Sequence, residues 1–87
     1  MSIVDDLEMF CKVDCAKCSK LAEFLTAERI MFVKRSLDAE PDLQTEALML
    51  GILAAPALKK GDKVLRVKDM FNGDRLQKGT IMAFVQD

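Results

Sequence analysis

The apolar positions change their spacing along the chain, and each change marks an element. Leu7-Glu8-Met9-Phe10-Cys11 alternates loosely and fits a short strand after an acidic lead-in. From Cys15 to about Arg29, apolar Cys18, Leu21, Ala22 and Leu25 share one side of a helix, with Glu23 and Glu28 outside. Ile30-Met31-Phe32-Val33 is an apolar run of strand length. The turn and helix-start signals of Asp38 to Pro41 precede a second helical stripe, Leu43, Ala47, Leu48 and Leu50, closed by Gly51. After Ile52-Leu53-Ala54-Ala55-Pro56 come two strand-like runs, Ala57-Leu58-Lys59-Lys60 and Lys63-Val64-Leu65-Arg66-Val67. The Gly61-Asp62 between them is a tight hairpin signal. From Asn72-Gly73-Asp74 onward a last helix is expected, burying Leu76, Ile81, Phe84 and Val85 and weakened by Gly79 at about 1 kcal/mol relative to alanine.

The order is strand, helix, strand, helix, strand, strand, helix. Helices between the first strands imply a parallel pair, and the late hairpin adds antiparallel strands, which makes an α/β domain with a four-stranded mixed sheet and three helices. Without repeat, linker or low-complexity tract, residues 1–87 read as a single domain. The 51% of hydrophobic and 31% of charged residues are a globular composition. Thirteen Lys and Arg against fourteen Asp and Glu argue against a protein that grips nucleic acid. No run approaches the ~20 apolar residues of a membrane span. Asp5, Asp6 and Glu8 stand where a secretory signal would be basic and then apolar, so a cytoplasmic location is expected.

The chain has no histidine, which excludes Ser-His, Cys-His and His-metal mechanisms built from it alone. Its three cysteines, Cys11, Cys15 and Cys18, are clustered, and in such a context they point to redox or metal chemistry rather than to a disulfide scaffold. Cys15-Ala16-Lys17-Cys18 falls at the passage from strand to helix. Unpaired N–H groups and the helix dipole there favour a thiolate at Cys15, the species that attacks disulfides. Cys18, a turn further on, can resolve a mixed disulfide. Lys12 and Lys17 add positive charge nearby, and Asp14 opposes them.

These residues resemble a glutaredoxin-like member of the thioredoxin superfamily, over about Leu7 to Val85. Lys12-Val13-Asp14-Cys15-Ala16-Lys17-Cys18 is similar to the lysine that precedes the Cys-x-x-Cys motif of glutaredoxins. Gly51-Ile52-Leu53-Ala54-Ala55-Pro56-Ala57-Leu58 looks like the loop that carries a cis proline beside the active site. The resemblance implies a thioredoxin/glutaredoxin-like fold, catalytic Cys15 and Cys18 forming a redox-active disulfide, and a substrate-binding role for Lys12, Ala55 and Pro56. It implies reduction of protein disulfides, with a flavoprotein thioredoxin-type reductase or glutathione as reductant, no cofactor and no metal. Some such redoxins serve ribonucleotide reductases as electron donors. The chain departs from the pattern at Asp14, where thioredoxins carry tryptophan, and at Ala16-Lys17, where glutaredoxins commonly have Pro-Tyr. Phe71-Asn72-Gly73-Asp74-Arg75 stands in place of their Gly-Gly and acidic residues, with only Asp74 matching. The chain thus looks closer to glutaredoxin-shaped redoxins served by a flavoprotein.

A competing reading uses all three thiols. Cys11, Cys15 and Cys18 also fit the C-x3-C-x2-C spacing that holds a [4Fe–4S] cluster, so an iron–sulfur or metal-binding protein of the same fold is the alternative. A zinc site would need a fourth ligand from elsewhere. On the redox reading Cys11 is a buried strand-end residue. The basic segment from Lys59 to Lys63, with Arg66 and Lys68, is expected to guard the edge of the hairpin against strand pairing.

Overall fold

In the computed structural model, which describes residues 7–86, the sheet is built around the first strand. The acidic lead-in with Asp5 and Asp6, and the last residue of the domain expected over 1–87, lie outside the described residues. Strand β1 (Leu7–Cys11) is followed by helix α1 (Ala16–Ala27), strand β2 (Val33–Ser36), helix α2 (Pro41–Met49), and strands β3 (Ala57–Lys60) and β4 (Lys63–Leu65). The four-stranded sheet has the order β2-β1-β3-β4. β1 pairs parallel with β2 and antiparallel with β3, and β3 pairs antiparallel with β4. Gly61, at φ +61°, opens the turn between Lys60 and Lys63 with the positive φ that a tight hairpin requires.

Alternation along β1 divides the interior. Leu7, Met9 and Cys11 face one side, where Leu21 and Leu25 of α1, Leu58 and Ile81 meet them; Phe10 faces the other, against Leu43 and Ala47 of α2, Ile52 and Ala57. Glu8 shares the Phe10 face but is charged, and there it bonds Arg35 of β2 at 2.8 Å with Lys59 of β3 at 3.8 Å. Arg35 also reaches Glu40 at 2.9 Å, just before α2. Glu40 first and then Glu8 hold that guanidinium still more firmly protonated than usual.

Four expectations are corrected. The second strand is Val33–Ser36 rather than the apolar run Ile30-Met31-Phe32-Val33. That run is the exit from α1: Arg29 takes a left-handed φ of +61° and the Ile30 N–H returns to the Leu25 carbonyl at 2.9 Å. Ile30 and Phe32 pack against the core from this exit, while Met31 is exposed. The fourth strand ends at Leu65, and Val67 opens a short helix, α3 (Val67–Met70). Asn72-Gly73-Asp74 does not start the last helix. It is the tip of a small ribbon of β5 (Phe71–Asn72) and β6 (Arg75–Leu76), and α4 (Lys78–Gln86) follows, with Ile81 fully buried and Leu76, Phe84 and Val85 half-buried. The strand, helix, strand, helix, strand, strand, helix order thus gains a one-turn helix and a ribbon before its final helix. Leu48 also leaves the predicted stripe and is 65% exposed. At ~100° per residue it lies about 140° round α2 from buried Leu43.

Candidate active site

The loop from β1 to α1 turns within Lys12, Val13 and Asp14. Asp14 adopts a left-handed φ of +54°, and the Val13 N–H donates to the Asp38 carboxylate at 2.7 Å. That bond ties the loop to the turn after β2 and delivers Cys15 in extended conformation as the residue that caps α1. The Cys15 Sγ accepts the Cys18 N–H at 3.2 Å, which satisfies one of the helix's unpaired first donors with sulfur where serine or aspartate is usual.

The two thiols differ in surroundings. Cys15 is half-buried and opens onto a shallow hollow lined also by Lys12, Asp14, Ser19 and Lys34. Cys18 is only 5% exposed. Burial, and after it the hydrogen bond with Cys15, push its thiol up to about 12, against a smaller opposing pull from the Lys12 backbone. Burial thus favours the protonated form of Cys18, and Cys15 is the less buried sulfur of the pair.

Ala55 and Pro56 are joined by a cis peptide bond. Pro56 is fully buried, while half-buried Ala55 packs against the same core cluster as Cys15 and Cys18. Ala55 and Lys12 also line an open groove of about 310 Å³, whose apolar wall includes Leu48, Ile52, Leu53 and Ala54. Cys15, Cys18, Lys12, Ala55 and Pro56 are thus gathered at one end of the sheet. Lys17 takes a different place: its ammonium stands over the Phe71 ring, 5.7 Å from the centroid.

Cys11 ends β1 buried, and its Sγ donates to the Arg35 carbonyl at 3.5 Å. Burial pushes this thiol up, with Lys34 pulling the other way. Among the described residues no three Cys, Asp or Glu side chains come together as metal ligands, so the ligand set of the three-thiol reading is not assembled there. The basic segment is engaged in the fold: Lys59 bonds Glu8, Lys60 donates to the Val85 carbonyl, and Arg66 donates to the end of α2. Sequence reasoning missed Lys34 and saw Asp38 only as a turn signal and Arg66 only as part of a basic segment, since each acts on residues far along the chain.

The backbone is similar to that of the thioredoxin-like protein BC3987, at a TM-score of 0.74 and 14% identity, over 90% of this chain and 97% of that one. The fold is thioredoxin-like. A glutaredoxin (grx-1) from Archaeoglobus fulgidus is similar over 72% of this chain and 75% of its own, at a TM-score of 0.60 and 22% identity. No protein-family model matches the sequence, and no curated protein matches it either. Among the described residues, no helix of this thioredoxin-like domain is long and apolar enough to cross a membrane.

Proposed function

We propose that the protein is a thiol–disulfide oxidoreductase, which reduces protein disulfides by dithiol exchange between Cys15 and Cys18. The observation that carries this reading is the asymmetry of the pair: a half-buried Cys15 whose sulfur accepts the Cys18 N–H at the start of α1, beside a buried Cys18 that keeps its proton. The thioredoxin-like fold supports a redoxin-type function. The Cys15 thiolate attacks one sulfur of the substrate disulfide, and the other leaves as a thiolate. Cys18 then attacks the Cys15 sulfur, its proton passing to the departing substrate thiolate. The second substrate thiol is released and the Cys15–Cys18 disulfide is left behind, two electrons having moved to the substrate. Lys12 and the Ala55 backbone border the place where that mixed disulfide forms. The resemblance to glutaredoxin-like redoxins extends the proposal to a flavoprotein reductase or glutathione as electron source, and to acceptors such as ribonucleotide reductase.

The test is a redox titration of the anaerobically purified protein, with thiols trapped by alkylation and counted by mass, beside two variants. Cys15 and Cys18 should interconvert as one two-electron pair between about −300 and −180 mV, with Cys11 unchanged. Cys15→Ser should abolish disulfide reduction, and Cys18→Ser should accumulate a covalent complex with substrate. Full turnover by Cys15→Ser, or thiols masked until iron or zinc is stripped, would sink the proposal.

A further inference from the structure

Arg66 stands outside the hollow around Cys15, yet it grips the segment that leads to the cis proline. From just beyond β4 its Nε donates to the Gly51 carbonyl at 2.9 Å, and a terminal guanidinium nitrogen donates to the Leu50 carbonyl at 3.2 Å. These oxygens lie at the C-terminal end of α2, where carbonyls lack intrahelical partners and partial negative charge accumulates. α2 has no basic residue in its own last turn, so the cation arrives from across the fold. The approach is close: a Cβ on Gly51 would lie 2.8 Å from that guanidinium nitrogen. Beyond the clamp, Ile52 is buried in the Phe10 cluster, Leu53 and Ala54 are exposed, and Ala55 returns to the core.

We propose that Arg66 is a positioning residue for disulfide exchange. By fixing Leu50 and Gly51 it sets where the Ala55 backbone stands beside Cys15. The inference rests on the proposed function, in which that backbone borders the mixed disulfide. A planar guanidinium spans two neighbouring carbonyls, whereas a lysine ammonium on a flexible stem lacks that fork.

The test compares Arg66→Ala and Arg66→Lys with the unaltered chain, using dithiothreitol as reductant and either insulin or hydroxyethyl disulfide as substrate. Amide hydrogen exchange is followed in parallel. In Arg66→Ala the KM for insulin should rise about tenfold with kcat within about twofold, while hydroxyethyl disulfide turnover is unchanged. Exchange at 50–55 should quicken about tenfold with β1 and β3 unaffected, and Arg66→Lys should fall between. An unchanged insulin KM, an equal loss on both substrates, or exchange that quickens uniformly would overturn the assignment. Inertness of the unaltered chain toward both disulfides removes the functional reading by itself, and the exchange pattern still decides whether Arg66 holds the loop.

Discussion

Cys15 and Cys18 are one helical turn apart and differ in nearly everything that governs a thiol. Cys15 is only half-buried, while burial keeps Cys18 protonated, and the hydrogen bond with Cys15 adds to that effect. The consequence is a pH dependence with a definite sign. In the unfolded chain the Cys18 thiol loses its proton near its ordinary value of about 9, whereas in the folded, reduced protein it holds it to about 12. Between those values the native state binds more protons than the unfolded state, so stability falls as pH rises. The stabilisation is fully present below pH 9 and is lost on passing pH 12. The denaturation midpoint of the reduced protein should therefore drop, relative to Cys18→Ala, between pH 8 and pH 10.5. A constant difference would contradict the buried, protonated Cys18.

At the scale of elements, the loop before β3 is held by the chain's closest glycine contact. Gly51 has φ +76°, and a methyl there meets Arg66; Gly61 has φ +61° and open space around it. Gly51→Ala should thus cost more than the ~1 kcal/mol of backbone strain expected at either position, because the guanidinium must also move. Gly61→Ala should cost that strain alone. Urea denaturation of the two variants checks the ranking, and equal losses would mean that Arg66 yields freely. The helices follow similar logic: α2 is fixed to the sheet by buried Leu43 and Ala47, and its exposed Leu48 borders the groove beside Ala55.

For the molecule as a whole, the two interior clusters lie on opposite faces of one sheet and meet through β1. Phe10→Ala empties the α2 face and Leu21→Ala the α1 face. Each should cost about 2–5 kcal/mol, in keeping with truncation of a fully buried side chain. Because both clusters hang on the same strand, each variant should still unfold in a single urea transition, followed by far-UV circular dichroism. Two separated transitions in either variant would show that the faces fold independently.

Sequence by itself determined the mixed sheet, the Gly61-Asp62 hairpin and the strand-to-helix position of Cys15, because each is written in a local period or turn. The pairing of Lys12, Cys15 and Cys18 with the Ala55-Pro56 loop was legible through resemblance of two short motifs. Tertiary structure decided the rest. The strand at Val33–Ser36 is polar in sequence, and it is a strand because β1 offers it a parallel edge and Glu8 neutralises Arg35. Asn72-Gly73-Asp74 resembles a helix start in sequence because the ribbon strands on either side of it are too short to show a period. Only the folded chain brings Asp38 to Val13 and Arg66 to Gly51, and only it separates two chemically identical thiols by burial. Hydrogen bonding and desolvation act through space, between residues whose separation along the chain carries no pattern.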